Sequence, residues 1–290
     1  MNEASAWRVE LAREVAAVYA KHPQVRMVSL GGSAARNLAD AYSDMDMAVY
    51  WAAIDHKWLE GTALQPSGGR RFTYRPLFDN LVVVEQYFVG EAKIDVAHFA
   101  MAWWEQSVDD VLERASMDDE KQEVLDGFLS AIVLYGEDEY ERWRTHIAAY
   151  PAALGRAMIE RNMHFYPQWV LEQQGLARND LLGFYATLCE MMRNLLGVLA
   201  GLNGMYLSME KPKRSADLLR RMAIAPADAV ARFEALLAGD RAAAPADLAA
   251  LIDETLALVE QHAPGVSTAR AREVQRLQVH PVEQKPAFPM

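Results

Sequence analysis

The hydrophobic pattern of this chain changes near residue 107, and that change constrains the fold more than any other feature. Before it, short apolar segments separated by turns have the length and composition of β-strands, at residues 25–30, 44–51, 81–88 and 93–99. After it, apolar residues recur at helical spacing, as in the candidate helices 119–136 and 179–203. The sequence therefore predicts a mixed α/β half followed by an all-helical half.

The same pattern predicts the domain boundaries. Residues 1–106 are expected to form the α/β domain and residues 107–264 the helical domain. Residues 265–290 contain Pro281, Pro286 and Pro289 and are expected to form an extended tail.

Charge and cysteine content exclude several classes of protein. The chain has 29 Lys and Arg against 40 Asp and Glu, a formal net charge of −11, so a long nucleic acid would be repelled. Its single cysteine, Cys189, rules out an internal disulfide and a CxxC metal site. The longest apolar run, residues 195–202, is too short to span a bilayer, and charged residues fill the N-terminus. We expect a cytoplasmic protein without a membrane partner.

Paired acids give the first indication of chemistry. In the segment beginning Asp44-Met45-Asp46-Met47, strand alternation places Asp44 and Asp46 on one face and the methionines on the other. Two ionised carboxylates held side by side need a compensating cation. Asp95 supplies a third acid on another strand. Oxygen ligands without cysteine favour Mg²⁺ over zinc.

The turn Gly31-Gly32-Ser33 precedes these acids. Two glycines allow a ligand to approach the backbone closely, and Ser33 is expected to cap a short helix at residues 34–39. Free N–H groups and a hydroxyl at such a turn suit a phosphate group. The pattern therefore predicts that phosphate and metal meet at one end of the sheet.

Together, these motifs resemble the nucleotidyltransferases of the DNA polymerase β superfamily. The residues that carry the resemblance are Gly32-Ser33 after an apolar strand, Asp44-Met45-Asp46, and Asp95 on a later strand. The chain looks most like the branch with the aminoglycoside and lincosamide nucleotidyltransferases. The resemblance implies an α+β nucleotidyltransferase domain, a mixed sheet with flanking helices, followed by an all-α helical bundle.

The resemblance also implies an activity. Such an enzyme moves a nucleoside monophosphate, usually AMP from ATP, to a hydroxyl of a small acceptor, which in this branch is an antibiotic. Asp44 and Asp46 would bind two Mg²⁺ ions and Asp95 would complete the second site, while Gly32 and Ser33 would hold the β- and γ-phosphates. The expected partners are a nucleoside triphosphate and a small hydroxylated molecule.

Further residues are candidates for supporting roles. Transfer to a hydroxyl needs a general base, and Glu85 in the apolar strand is the candidate. Lys211 and Lys213 resemble lysines that meet nucleotide phosphates, although charged loops between helices look the same. Arg36 either neutralises phosphate or caps the short helix.

Simpler interpretations stand beside these roles. Asp44 and Asp46 could lie in a solvated turn. Asp95 could be an edge-strand acid paired with Lys93 or Arg26. Glu85 could face solvent on an edge strand.

Two functions from different classes follow. The first is the nucleotidyltransferase, in which an acidic cleft would suit a polycationic acceptor such as an aminoglycoside. The alternative is a non-catalytic, antitoxin-like regulatory member that binds a protein partner. The three intact acids favour the enzyme.

Overall fold

The computed structural model describes residues 1–62, 68–208, 215–280 and 282. Contacts between residues divide the chain into two compact units, Met1–Pro151 and Ala152–Met290. Every strand among the described residues belongs to the first unit, and the second unit is helical. The predicted order of a mixed α and β half before a helical half is therefore confirmed.

The described part of the first unit contains one mixed sheet flanked by helices. Its strands are β1 (Val25–Leu30), β2 (Met45–Trp51), β3 (Arg70–Leu77), β4 (Val82–Val89), β5 (Ala92–Ala100) and β6 (Ile132–Tyr135). Its helices are α1 (Glu3–Tyr19), α2 (Gly32–Ala35), α3 (His56–Thr62), α4 (Met101–Leu112), α5 (Asp119–Ser130) and α6 (Glu137–Ala148). The strand order is β3-β4-β5-β2-β1-β6. The pair β2 and β5 is parallel, and the other neighbours are antiparallel.

The boundary between the units lies later than the sequence predicts, at Pro151 rather than after residue 106. The reason is that the elements after residue 106 pack on the sheet. Tyr50 of β2 contacts the ring of Phe128 of α5 at a centroid distance of 5.7 Å, and β6 pairs with β1 in the sheet itself. Helical spacing alone cannot show that α4, α5 and α6 cover a sheet formed earlier in the chain.

The helix predicted over residues 119–136 is wrong at its C-terminal end. α5 ends at Ser130, and β6 then pairs with β1. The β6 residues Ile-Val-Leu-Tyr favour strands, because β-branched and aromatic side chains pack well on a pleated surface. Gly136 follows with φ of 76°, and a Cβ there would overlap the carbonyl oxygen of Arg26. Glycine therefore permits the close turn into α6.

The two faces of the sheet differ in what covers them. On one face, Met45, Met47 and Val49 are buried in a core that includes Val15 and Tyr19 of α1. On the other face, Trp103 and Trp104 of α4 and Phe128 of α5 cover Phe99 and Tyr50, and Tyr140 of α6 stacks on Phe128. Further along this second face, toward the start of β2, side chains remain partly or fully exposed.

The second unit is helical over its described residues. Its elements are α7 (Ala152–Asn162), a π-helical segment (Val170–Leu176), α8 (Leu181–Leu202), α9 (Ser215–Arg221), α10 (Ala229–Ala238), α11 (Ala244–His262) and α12 (Ala269–Gln275). Gly197 and Gly201 of α8 let α7 approach closely, because a Cβ at Gly201 would lie 2.7 Å from the carbonyl oxygen of Gly155. Within the described ranges, no helix has both the length and the apolar character to cross a bilayer.

The predicted extended tail differs from the structure in its first part. Residues 269–275 form α12 instead. Arg272 attaches this helix to α11, with its Nε 2.6 Å from Glu260 and its Nη1 2.6 Å from Asp253. Residues 281 and 283–290 lie outside the described residues.

We expect this attachment to weaken in acid. Hydrogen bonds from Arg272, and then from Thr268, lower the pKa of the Glu260 carboxyl from its ordinary 4.5 to about 2. A lowered folded pKa adds stability above the unfolded pKa, and this stability is lost as the pH falls through the folded value. The unfolding temperature of Glu260→Gln should lie below that of the unmodified protein at pH 7, and the gap should close between pH 4.5 and 2. A gap independent of pH would contradict this.

Candidate metal centre

Strand β2 presents the two acids of the Asp-Met-Asp motif on one face. Asp44 directly precedes the strand and is partly exposed, and Asp46 within it is exposed. Met45 and Met47, which alternate with them, are 0% and 3% exposed. Burial of the methionines therefore holds both carboxylates toward solvent, as the alternation predicts. Asp46 therefore lies within a strand, and the simpler interpretation that it lies in a solvated turn is wrong.

Strand β5 brings the third acid to the same place. β5 runs parallel to β2, and the register sets Asp95 directly opposite Asp46. Neighbouring strands lie about 4.8 Å apart, so facing side chains can share a ligand. One carboxylate oxygen from each of Asp44, Asp46 and Asp95 lies within 4.8 Å of the others. The structure thus joins Asp95 to a pair of acids that lies far from it in the sequence.

A lysine ammonium lies between two of these acids. Lys93 Nζ is 2.7 Å from Asp95 Oδ2 and 3.1 Å from Asp44 Oδ2. Burial alone would lower the pKa of Lys93, but hydrogen bonds and charge from Asp95 and Asp44 outweigh burial and raise it. The predicted alternative pairing of Asp95 with Lys93 is therefore present within the acid cluster. Arg26 instead binds Glu139, at 2.7 Å.

The Gly-Gly-Ser turn packs directly against Asp46. The N–H of Gly31 donates to the Asp46 carbonyl oxygen at 2.7 Å. Gly32 has φ of 62°, and a Cβ on it would overlap the Asp46 carboxylate. Ser33 is the second residue of α2 rather than its N-cap, which is Gly31. The glycine pair therefore sets the turn beside the carboxylate, as close approach of the backbone requires.

We expect Gly32→Ala to displace the Asp46 carboxylate. The new methyl group would occupy its position, and an alanine at this positive φ is also strained. Mn²⁺ affinity, measured by isothermal titration calorimetry, should fall by about ten-fold, the scale of losses when groups that orient metal ligands are changed. Gly61→Ala is the matched control, because a Cβ at Gly61 meets nothing within 4 Å. Equal affinities of the two variants would contradict a role for the close approach.

The structure does not bring Glu85 to the acid cluster. Glu85 lies on the opposite face of β4 and is fully buried. It accepts hydrogen bonds from Tyr87 Oη at 2.5 Å and from His98 Nε2 at 3.1 Å, and Arg71 Nη2 lies 3.1 Å away. Its contacts are those of a buried structural acid. The prediction of a general base at Glu85 has no support in this arrangement.

Its neighbour Gln86 occupies the face of the acids instead. Gln86 stands opposite Asp95, and its Nε2 donates to Asp95 Oδ1 at 3.2 Å. The sequence reasoning missed Gln86, although strand alternation already puts it on the face opposite Glu85. To identify Gln86 as the residue beside Asp95, one must also know how β4 pairs with β5.

Of the other predicted phosphate contacts, Arg36 is the C-cap residue of α2 and bonds to α5, and two lysines lie outside the described residues. Arg36 Nη2 binds Asp126 Oδ2 at 2.7 Å and Ser130 Oγ at 3.0 Å. Arg36 thus ties the segment after the glycine turn to α5. Lys211 and Lys213 lie outside the described residues.

Comparisons with known proteins add two likenesses. A family model described as a domain of unknown function, DUF4037, matches residues 120–211. Among solved structures, a nucleotidyltransferase-like protein from Exiguobacterium sibiricum 255-15 is 12% identical, with 88% of this chain and 78% of that chain covered and a TM-score of 0.39. No curated protein matches the chain. The family segment covers less than half of the chain and the structural likeness is remote, so neither assigns an activity.

Proposed function

We propose that this chain is a Mg²⁺-dependent nucleotidyltransferase that moves AMP from ATP to a hydroxyl of a small molecule. The observation that carries the proposal is the convergence of Asp44, Asp46 and Asp95, whose carboxylate oxygens lie within 4.8 Å of one another. The Gly-Ser turn against Asp46 is the second element of the motif that resembles these enzymes.

The donor set suits a hard divalent cation. All three side chains offer carboxylate oxygens, which Mg²⁺ prefers, and they are exposed enough to leave positions for water and phosphate. A cation already lies among them, since the Lys93 ammonium contacts Asp44 and Asp95. The cluster therefore has both the ligands and the electrostatic character of a cation site.

The roles of the residues follow from their positions. Asp44, Asp46 and Asp95 would hold two Mg²⁺ ions, which when bound would offset the charge of the triphosphate and activate the acceptor oxygen. The Gly32-Ser33 turn beside Asp46 would hold the β- and γ-phosphates. The acceptor oxygen bonds to the α-phosphorus, the bond from that phosphorus to the bridging oxygen breaks, and pyrophosphate leaves.

The acceptor proton needs a nearby base. Of the three clustered acids, Asp95 stands on β5, the neighbour of β4, and its two oxygens accept hydrogen bonds from Gln86 and Lys93. We assign proton acceptance to Asp95, since Glu85 lies on the other face of the sheet.

Transfer of label from ATP tests the proposal. The protein is incubated with α-labelled ATP, Mg²⁺ and a panel of small hydroxylated molecules, both cationic and anionic, that includes aminoglycosides and lincosamides, and with candidate proteins. We expect label on a small acceptor with release of pyrophosphate, and loss of both when EDTA is added. Tight binding of a protein partner, without label on any acceptor, would favour the antitoxin-like alternative.

A further inference from the structure

The sheet face that carries Asp95 continues across β4 and β3. Opposite Asp95 stands Gln86, and opposite Lys93 stands Phe88. Phe88 in turn pairs with Arg70 on β3. Because side chains alternate along a strand, Gln86 and Phe88 project from the same face as the acids. The surface beside the metal centre therefore offers an amide, an aromatic ring and a guanidinium group.

An irregularity in β3 adds a second ring to this face. The register with β4 shifts after Arg71, and the Phe72 ring lies 5.2 Å from the Phe88 ring. Arg70 Cζ lies 5.7 Å from the centroid of Phe88. Arg71 points to the other face, where it pairs with Glu85. Phe72 is 50% exposed, so one ring of this pair is open to a ligand.

Two arginines give this part of the face a positive charge. Arg70 and Arg75 are exposed, and Arg75 stands opposite Val84, which lies two residues from Gln86 along β4 and on the same face. In the described part of the chain, neither guanidinium forms an ion pair with a carboxylate. Guanidinium groups bind phosphate and carboxylate through paired hydrogen bonds. We name Gln86, Phe88, Phe72, Arg70 and Arg75 the β3–β4 strip.

The in-line geometry of phosphoryl transfer places the acceptor on the side of the acid cluster where β5 and β4 lie. The attacking and leaving oxygens lie roughly in line on opposite sides of the transferred phosphorus. The Gly-Ser turn follows β1, which neighbours β2 on the side away from β5. If pyrophosphate leaves toward that turn, the acceptor approaches from β5 and β4.

We propose that the β3–β4 strip binds the acceptor, and that the acceptor carries a ring and an anionic group. This inference rests on the proposed function. The ring stacks on Phe72 and Phe88, a phosphate or carboxylate binds Arg70 beside Phe88, and Arg75 adds positive charge to the same face. Two strand spacings separate Asp95 from β3, so the anionic group lies about 10 Å from the reacting hydroxyl. Two exposed guanidinium groups would repel a polycation such as an aminoglycoside.

Binding of small probes tests the inference without turnover. Affinities are measured by saturation-transfer NMR for 4-(2-hydroxyethyl)phenyl phosphate, its parent phenol, tyramine and kanamycin, with Mg²⁺ and a non-hydrolysable ATP analogue present. We expect the phosphate probe to bind at least five-fold more tightly than the parent phenol. The double variant Arg70→Gln, Arg75→Gln should lose this difference, and Phe72→Leu should weaken binding of the phosphate probe, the parent phenol and tyramine alike.

The controls separate the inference from the proposed function. Arg142→Gln removes an exposed arginine on α6 and should leave all affinities unchanged. The ATP analogue should bind the strip variants and the unmodified protein equally. Equal binding of the phosphate probe and the phenol, tighter binding of kanamycin, or weaker binding of the ATP analogue to the strip variants would overturn the inference. Failure of the unmodified protein to bind the analogue with Mg²⁺ would instead contradict the proposed function.

Discussion

Asp46→Asn is expected to abolish Mg²⁺-dependent nucleotide transfer and leave the fold intact. Asn keeps the shape of the side chain beside Gly32 but removes the negative charge that a divalent cation needs. Changes to groups that only orient metal ligands cost about 10- to 100-fold. Loss of a direct ligand should cost at least about 100-fold in pyrophosphate release. The rate is measured at saturating ATP over a Mg²⁺ series.

Asp138→Asn is the matched control for this variant. It makes the same chemical change at an exposed acid on α6 of the same unit. Its turnover should equal that of the unmodified protein. The unfolding temperature of Asp46→Asn should be unchanged or slightly higher, because one of three mutually repelling carboxylates is neutralised. Normal turnover in Asp46→Asn would refute the metal assignment.

Lys93→Met is expected to tighten divalent metal binding while destabilising the metal-free protein. The ammonium lies 2.7 Å from Asp95 and 3.1 Å from Asp44, so it compensates the acids that a metal would use. Partly exposed ion pairs contribute up to about 1 kcal/mol. We expect the free energy of unfolding of the metal-free protein to fall by about 1 kcal/mol. Mn²⁺ should bind about five-fold more tightly, because a five-fold change in affinity corresponds to about 1 kcal/mol.

Calorimetric titration with Mn²⁺ and thermal unfolding with and without Mg²⁺ measure both effects. Mg²⁺ should raise the unfolding temperature of Lys93→Met more than that of the unmodified protein. Lys57→Met is the control, because Lys57 is exposed on α3 and carries the same charge. Identical Mn²⁺ affinities in Lys93→Met and the unmodified protein would show that the ammonium does not compete with the metal.

The strands β3 and β6 were both missed from the sequence, and β6 shows why. Residues 119–130 have genuine helical periodicity, and residues 132–135 continue the apolar run without a break that local rules recognise. What makes them a strand is the free edge of β1, against which Leu30 pairs with Ile132. That edge is supplied by a segment about a hundred residues earlier, so local spacing cannot reveal it. The same packing moves the unit boundary to Pro151.

Glu85 and Gln86 show a similar limit within the site. Alternation along β4 establishes that the two side chains face opposite ways. It does not establish which of them meets Asp95. The antiparallel register sets Gln86 opposite Asp95 and leaves Glu85 buried with Tyr87 and His98. A shift of one residue in that register would exchange their roles.

The sequence by itself determined the paired acids and the glycine turn. Asp44 and Asp46 share a face because strand alternation is a local property, and two adjacent glycines permit a close approach to the backbone whatever the rest of the fold. Only the tertiary structure decided that Asp95 stands opposite Asp46, that Lys93 lies between the acids, and that Gln86 rather than Glu85 joins them. The physical reason is that strand pairing and register come from packing of the whole sheet, which brings together residues that local periodicity cannot relate.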